Sequence, residues 1–172
     1  MLGLTQYYPL FFTATNLQWE HLLRMDKYKD IITGSLSFLV KEKRASVYSF
    51  VIMSNHLHLI WHIAEGHTRD EVQKDFLKYT SQKIKADLKK YHPLVLEKFK
   101  VNAKDREYQI WERNPLSVEI FSEKVLIQKL NYIHQNPVRA KLCKEPLDYK
   151  YSSARFYEKG KDEWDFLAHY LG

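Results

Sequence analysis

The 172-residue chain has one cysteine, Cys143, which excludes an internal disulfide framework and any zinc finger built on cysteines. It lacks an uninterrupted apolar run of the ~18 residues that a membrane span needs, and it opens without a basic–apolar–small leader. The expectation is a cytoplasmic protein that does not enter a membrane. No Gly/Ser linker, internal repeat or low-complexity tract interrupts the chain, so a single domain over 1–172 is expected. A chain of this length buries roughly 70% of its unfolded surface and needs no covalent staple or structural metal to fold.

What is present is a basic surplus: 27 Lys and Arg against 21 Asp and Glu, a net charge of +6 and a pI near 9.2. The surplus is concentrated. Between Arg139 and Lys161 seven basic residues face three acids, interleaved with Tyr149, Tyr151, Phe156 and Tyr157. Cations neutralise phosphates and aromatic faces stack on unpaired bases, so this segment suits a nucleic-acid partner. A solvated tail whose aromatics pack inward explains the same pattern.

YPLFFTAT (8–15) is β-branched and aromatic and predicts a strand. Residues 20–43 place Ile32, Leu36, Leu39 and Val40 at helical spacing, interrupted by Gly34. ASVYSFVIM (45–53) and HLHLIWHI (56–63) predict a hairpin turning at Ser54-Asn55. Thr68 with Glu71 forms a capping box for a helix ending before Pro93. YQIW (108–111) predicts a short strand, and no element is assigned to ERNPLSVEIF (112–121). Ser122 caps a helix through VLIQKLNYIHQ, expected to stop at Asn136 because Pro137 disfavours helical geometry just before it. Interspersed helices and a hairpin make the class α+β, an antiparallel sheet with helices packed on it.

Strand alternation puts His56, His58, Ile60 and His62 on one face and Leu57, Leu59, Trp61 and Ile63 on the other. The second set is a core face. Two imidazoles at i and i+2 can tilt toward one cation, although half-buried polar side chains would give the same pattern. Tyr132 and Asn136 lie one turn apart on one face of the later helix, with Gln135 adjacent. Asn136 offers an amide oxygen as a third ligand, or else acts as a helix cap. A His pair, a carboxamide and a nearby tyrosine are the parts needed to attack a phosphodiester without water.

VIMSNHLHLIWHI resembles the HUH motif region of single-tyrosine HUH endonucleases, with Leu57 between the two histidines. YIHQNPVRAKL and DYKYSSA (148–154) resemble the corresponding segments of the REP-associated tyrosine transposases, a branch of the same insertion-sequence superfamily. The resemblance spans about residues 8–157. It implies a ferredoxin-like or RRM-like fold with His56 and His58 on a central strand. It implies a metal held by His56, His58 and Asn136, with Mg²⁺ or Mn²⁺ as the family's choice, and Tyr132 as nucleophile. By intrinsic affinity, such a site binds Ni, Cu or Zn more tightly. The implied chemistry cleaves and rejoins single-stranded DNA through a 5′-phosphotyrosine, on hairpins of palindromic elements. Arg139, Lys141, Lys150, Tyr151 and Arg155 are the expected DNA-binding residues of the basic segment 139–172. A homodimer is compatible with this reading.

Two other functions fit the same residues: a non-catalytic single-strand or hairpin binder, and a phosphoesterase using metal-activated water. His62 is either an accessory ligand or a polar strand residue. His67, His92 and His134 lack paired spacing and are expected at the surface. Tyr79, the rival nucleophile, has Lys83 rather than a carboxamide four residues on. Lys74, Lys78, Lys85 and Lys89 suggest a solvated helix flank, and Cys143 is expected to be inert.

Overall fold

A computed structural model describes residues 8–172. Four strands form one antiparallel sheet: β1 (Leu10–Thr15), β2 (Ala45–Ile52), β3 (His56–Ile63) and β4 (Leu116–Glu119), in the order β2-β3-β1-β4. Five helices complete the fold: α1 (Asp26–Lys41), α2 (Arg69–Tyr91), α3 (Pro93–Glu97), α4 (Glu123–Arg139) and α5 (Ala154–Lys159). The sequence β1-α1-β2-β3-α2-β4 with β1 and β3 central is the ferredoxin-like arrangement expected above. The hairpin, the Thr68–Glu71 capping box and the Ser122 cap, which accepts from Val125 N–H, all appear as expected.

Both faces of the sheet are covered, and this sets the environment of β3. On one side Leu57, Leu59, Trp61 and Ile63 pack with Phe12, Phe50 and Ile52 against Tyr28, Ile32 and Leu36 of α1 and Val72 and Phe76 of α2. On the other, Phe11, Val51 and Ile60 pack against Leu126, Leu130 and Ile133 of α4. A bulge lets β2 serve both. The register slips between Val47 and Ser49, so Val47 and Phe50 face the same core although they lie three apart.

Several elements differ from expectation. α1 starts at Asp26, after two 3₁₀ turns at Leu17–Trp19 and Leu22–Arg24. YQIW is not a strand and makes only isolated bridges, Lys100 with Tyr108 and Asn16 with Trp111. The fourth strand is instead LSVE, inside the unassigned stretch. There Ser117 donates to Gln73 Oε1 of α2 at 2.6 Å, while Leu116 and Val118 stay exposed. A polar-in, apolar-out edge strand inverts the alternation by which strands are recognised. α4 runs three residues past Asn136, through Pro137 to Arg139. Proline removes one N–H and crowds the carbonyl four residues back, yet the helix continues, and at its end Ala140 N–H donates to Asn136 C=O.

The C-terminal segment folds back on the sheet. Ser152 bridges Val51 and Leu167 bridges Val47. Ser153 Oγ accepts from Phe50 N–H at 3.0 Å and contacts Ser49 Oγ at 2.9 Å and His134 Nε2 at 2.8 Å. The Tyr-Ser-Ser-Ala stretch is therefore an anchor between β2 and α4. His134, expected at the surface, is buried in this cluster, and burial pushes its pKa down to about 4.

Tyr28 donates to Asp87 Oδ2 at 2.7 Å and Tyr151 to Asp30 Oδ1 at 2.8 Å. Burial first, then the carboxylate acceptor, raises both phenols above the ordinary value of 10.0. A raised folded-state pKa contributes stability below the unfolded value that is lost as pH rises beyond it. Urea midpoints should therefore hold steady from pH 7 to 9 and fall from about pH 10 upward. With Tyr28→Phe and Tyr151→Phe combined, that alkaline fall should shrink.

Candidate functional site

β3 and α4 bring the expected residues together. His58 is 6% exposed, on the α4 side of the sheet, with its ring 4.8 Å from that of His56. The Tyr132 ring stands edge-on to His58 at 5.3 Å and to Phe11 at 6.1 Å. Tyr132 is 42% exposed while its ring leans on the site. Asn136, one turn along α4, hydrogen-bonds the His56 imidazole. Residues about 75 positions apart thus meet because α4 lies across β3.

The partners of the two imidazoles select their nitrogens. His56 Nδ1 bonds Asn55 Oδ1 at 2.7 Å, and since that oxygen only accepts, Nδ1 carries the proton. His58 Nδ1 meets Thr13 Oγ1 of β1 at 2.7 Å, and Phe11 stacks on the His58 ring at 5.4 Å and 18°. Oxygen partners of this kind orient metal-ligating histidines.

The electrostatics keep both rings neutral. Burial lowers the His58 pKa to about 3, and His56, Arg139 and Lys129 push the same way. Burial also lowers that of His56, aided by His21, against the opposing bond from Asn136. Two neutral imidazoles and an amide form a donor set that fits a divalent cation needing open positions. Among the described residues, no group of three or more His, Cys, Asp or Glu could hold an ion.

Two cations bracket the tyrosine. Arg139 lies over the Tyr132 ring at 4.4 Å and donates to the Tyr132 C=O at 2.8 Å. Lys129 Nζ stands 4.7 Å from the Phe11 ring centre and 6.0 Å from that of Tyr132. Lys129, Thr13, Phe11 and Asn55 carried no signal of their own in the sequence. Their roles depend on strand pairing and on the pitch of α4.

The remaining expected residues divide. Lys141 and Lys150 are exposed. Arg155 is half-buried, donating to Leu147 C=O and pairing with Glu163. Tyr151, expected to stack on bases, is 3% exposed and packed on Trp164 in the core, so its ring faces are closed to a ligand. Its burial, with that of Phe166, favours the inward-packing account of the aromatic segment. His62 lies half-buried on the His58 side of β3, opposite Ser46. Tyr79 sits on α2, the other side of the sheet from the histidines. Lys74, Lys78 and Lys85 line a cleft of about 570 Å³ with Arg106 and Arg113, also on the α2 side.

No family model and no curated protein matches the sequence. Solved structures do. One described as a REP-associated tyrosine transposase bound to a REP hairpin superposes with a TM-score of 0.66 at 19% identity, over 98% of this chain and 92% of the other. The chain has the fold of that transposase. A Deinococcus radiodurans protein assigned as a transposase shares the fold more loosely, with a TM-score of 0.51 at 12% identity over 78% of this chain and 95% of the other. In this chain that fold places β3 with β1 at the centre of the sheet and α4 across it. Among the described residues, no helix is long and apolar enough to cross a membrane.

Proposed function

We propose that this chain cleaves and rejoins single-stranded DNA beside a hairpin, with Tyr132 as the nucleophile. The observation that carries the reading is the partly exposed Tyr132, its ring edge-on to His58, with His56 and Asn136 beside it. The hairpin is suggested by the similar transposase, which was solved with one. His56, His58 and Asn136 would hold Mg²⁺ or Mn²⁺, which when bound supplies a Lewis acid for a phosphoryl oxygen.

The chain's own residues do the rest. Tyr132 Oη bonds to phosphorus as the bond to the 3′ oxygen breaks. The phenol gives up its proton, and the departing oxygen gains one to become a 3′-OH. The phosphotyrosine conserves the phosphodiester linkage, so reversal needs no nucleotide cofactor. Lys129 and Arg139, flanking the ring, attract the substrate phosphates and offset the charge that develops during attack. Asn55 and Thr13 hold the imidazoles in place.

The test is incubation with labelled hairpin DNA and Mg²⁺ or Mn²⁺, followed by denaturing electrophoresis. A covalent adduct that disappears with EDTA is expected. Binding without an adduct would leave a hairpin-binding protein, and cleavage without an adduct would point to attack by water. Thr13→Val keeps the shape of the side chain and deletes the oxygen beside His58. Loss of such an orienting partner should weaken Mn²⁺ binding about 10- to 100-fold, measured by calorimetry, while the fold is retained.

A further inference from the structure

Beside the site, two consecutive residues outside any turn glycine adopt left-handed backbone: Gln18 at φ 52° and Trp19 at φ 59°. Side chains other than glycine, and bulky ones above all, rarely adopt this region, and such strain persists only where surrounding contacts enforce it. Those contacts are present. Leu17 N–H donates to Ile110 C=O at 2.9 Å, Gln18 N–H to Glu112 Oε1 at 2.6 Å, and Trp19 N–H to Asn16 C=O at 3.0 Å. The strap is thus clamped to the 110–112 segment on one side. On the other it is clamped to the β2–β3 turn, where Asn16 N–H donates to Asn55 C=O at 2.8 Å.

This clamping leaves the indole 63% exposed, the opposite of what tryptophan prefers. It also ties Trp19 to the His56 side of the site through one side chain. Asn55 Nδ2 donates to Trp19 C=O at 3.4 Å, while Asn55 Oδ1 holds His56 Nδ1 at 2.7 Å. His21, two residues on, bonds Ser54 Oγ at 2.7 Å and lies close enough to His56 to lower its pKa. The backbone of the strap and the orientation of His56 are therefore set by the same asparagine.

We infer that Trp19 is a stacking platform for an unpaired base in the single-stranded flank next to the cleaved bond. An exposed indole carried on a clamped backbone beside the His–Tyr site has the chemistry for this task. Every base has a π-face, and a strap already held in place need not be ordered when a base settles on the ring. The inference rests on the DNA-processing reading above. It adds a residue that neither the His pair nor the tyrosine indicates, and it assigns recognition of the flank to the 16–20 strap rather than to the basic C-terminal segment.

The test compares a hairpin bearing a short single-stranded flank, 5′ or 3′, with a blunt hairpin. Trp19 is far more exposed than the buried Trp61 and Trp111, so stacking on it should quench tryptophan emission. Quenching is expected with one flanked hairpin and not with the blunt one. Trp19→Ala should weaken binding of the flanked hairpin about 10- to 100-fold and leave the blunt one unchanged. Trp19→Phe should keep most of the affinity and lose the quenching. Wild-type affinity of Trp19→Ala for the flanked hairpin overturns the inference, as does an equal loss on both hairpins. Failure to bind any hairpin overturns both this inference and the DNA reading. Flank-dependent quenching without a covalent adduct upholds the stacking site and removes only the cleavage chemistry.

Discussion

Tyr132→Phe should fold, bind hairpin DNA and form no covalent adduct. The substitution removes one oxygen from a partly exposed residue and keeps the ring, so the contacts with His58, Phe11 and Arg139 remain. Stability should stay within about 0.5 kcal/mol of wild type, as for other surface changes without a structural role. Removing a nucleophile lowers a rate on the order of 10⁴-fold or more, which takes the adduct below detection. Tyr149 and Tyr157 donate their hydroxyls to backbone carbonyls of Ile52 and Tyr48, and Tyr79 lies beyond the sheet. A denaturing gel with end-labelled hairpin reads the outcome. An adduct at wild-type level would remove Tyr132 from its assigned role.

The second large effect belongs to the far face of the same strand. Trp61 is fully buried between Phe12 at 5.1 Å and Phe76 at 5.7 Å. Trp61→Ala should cost about 3–5 kcal/mol, a large share of the ~5–15 kcal/mol typical of a domain. Trp61→Phe should cost less than half of that. Its indole Nε1 finds no acceptor among the described residues, and a buried donor without a partner costs ~1–3 kcal/mol. Phenylalanine removes that donor and fills most of the space. Urea midpoints at unchanged m-value measure both. Equal losses for the two variants would mean that the indole N–H is satisfied in the folded protein.

Much of the site was legible because its parts are local patterns. Alternation along HLHLIWHI placed His56 and His58 opposite Leu57, Leu59 and Trp61, and that division survives in the two cores. Helical spacing put Tyr132 and Asn136 on one face, and both meet the histidines. Where local pattern misled, a tertiary contact had priority. Pro137 read as a helix stop, but its missing N–H costs one bond in a helix held down by Leu130, Ile133 and His134. Tyr151 read as a stacking group, but Asp30, on a distant helix, accepts its hydroxyl and closes the core over it. LSVE carries too short a signal to read, because its alternation spans only four residues and its apolar pair faces out.

The sequence by itself placed His56 with His58 and Tyr132 with Asn136, since the periods of strand and helix dictate which side chains share a face. Only the tertiary structure decided what surrounds them. Thr13 and Phe11 reach His58 because β1 pairs with β3, and Lys129 and Arg139 flank Tyr132 because α4 crosses the sheet at that point. The exposure of Trp19 arises in the same way, from clamps at Ile110, Glu112 and Asn55 that are distant in the chain. Periodicity acts between residues a few positions apart. The partners that orient, neutralise and expose a group come from any distance, and only packing brings them together.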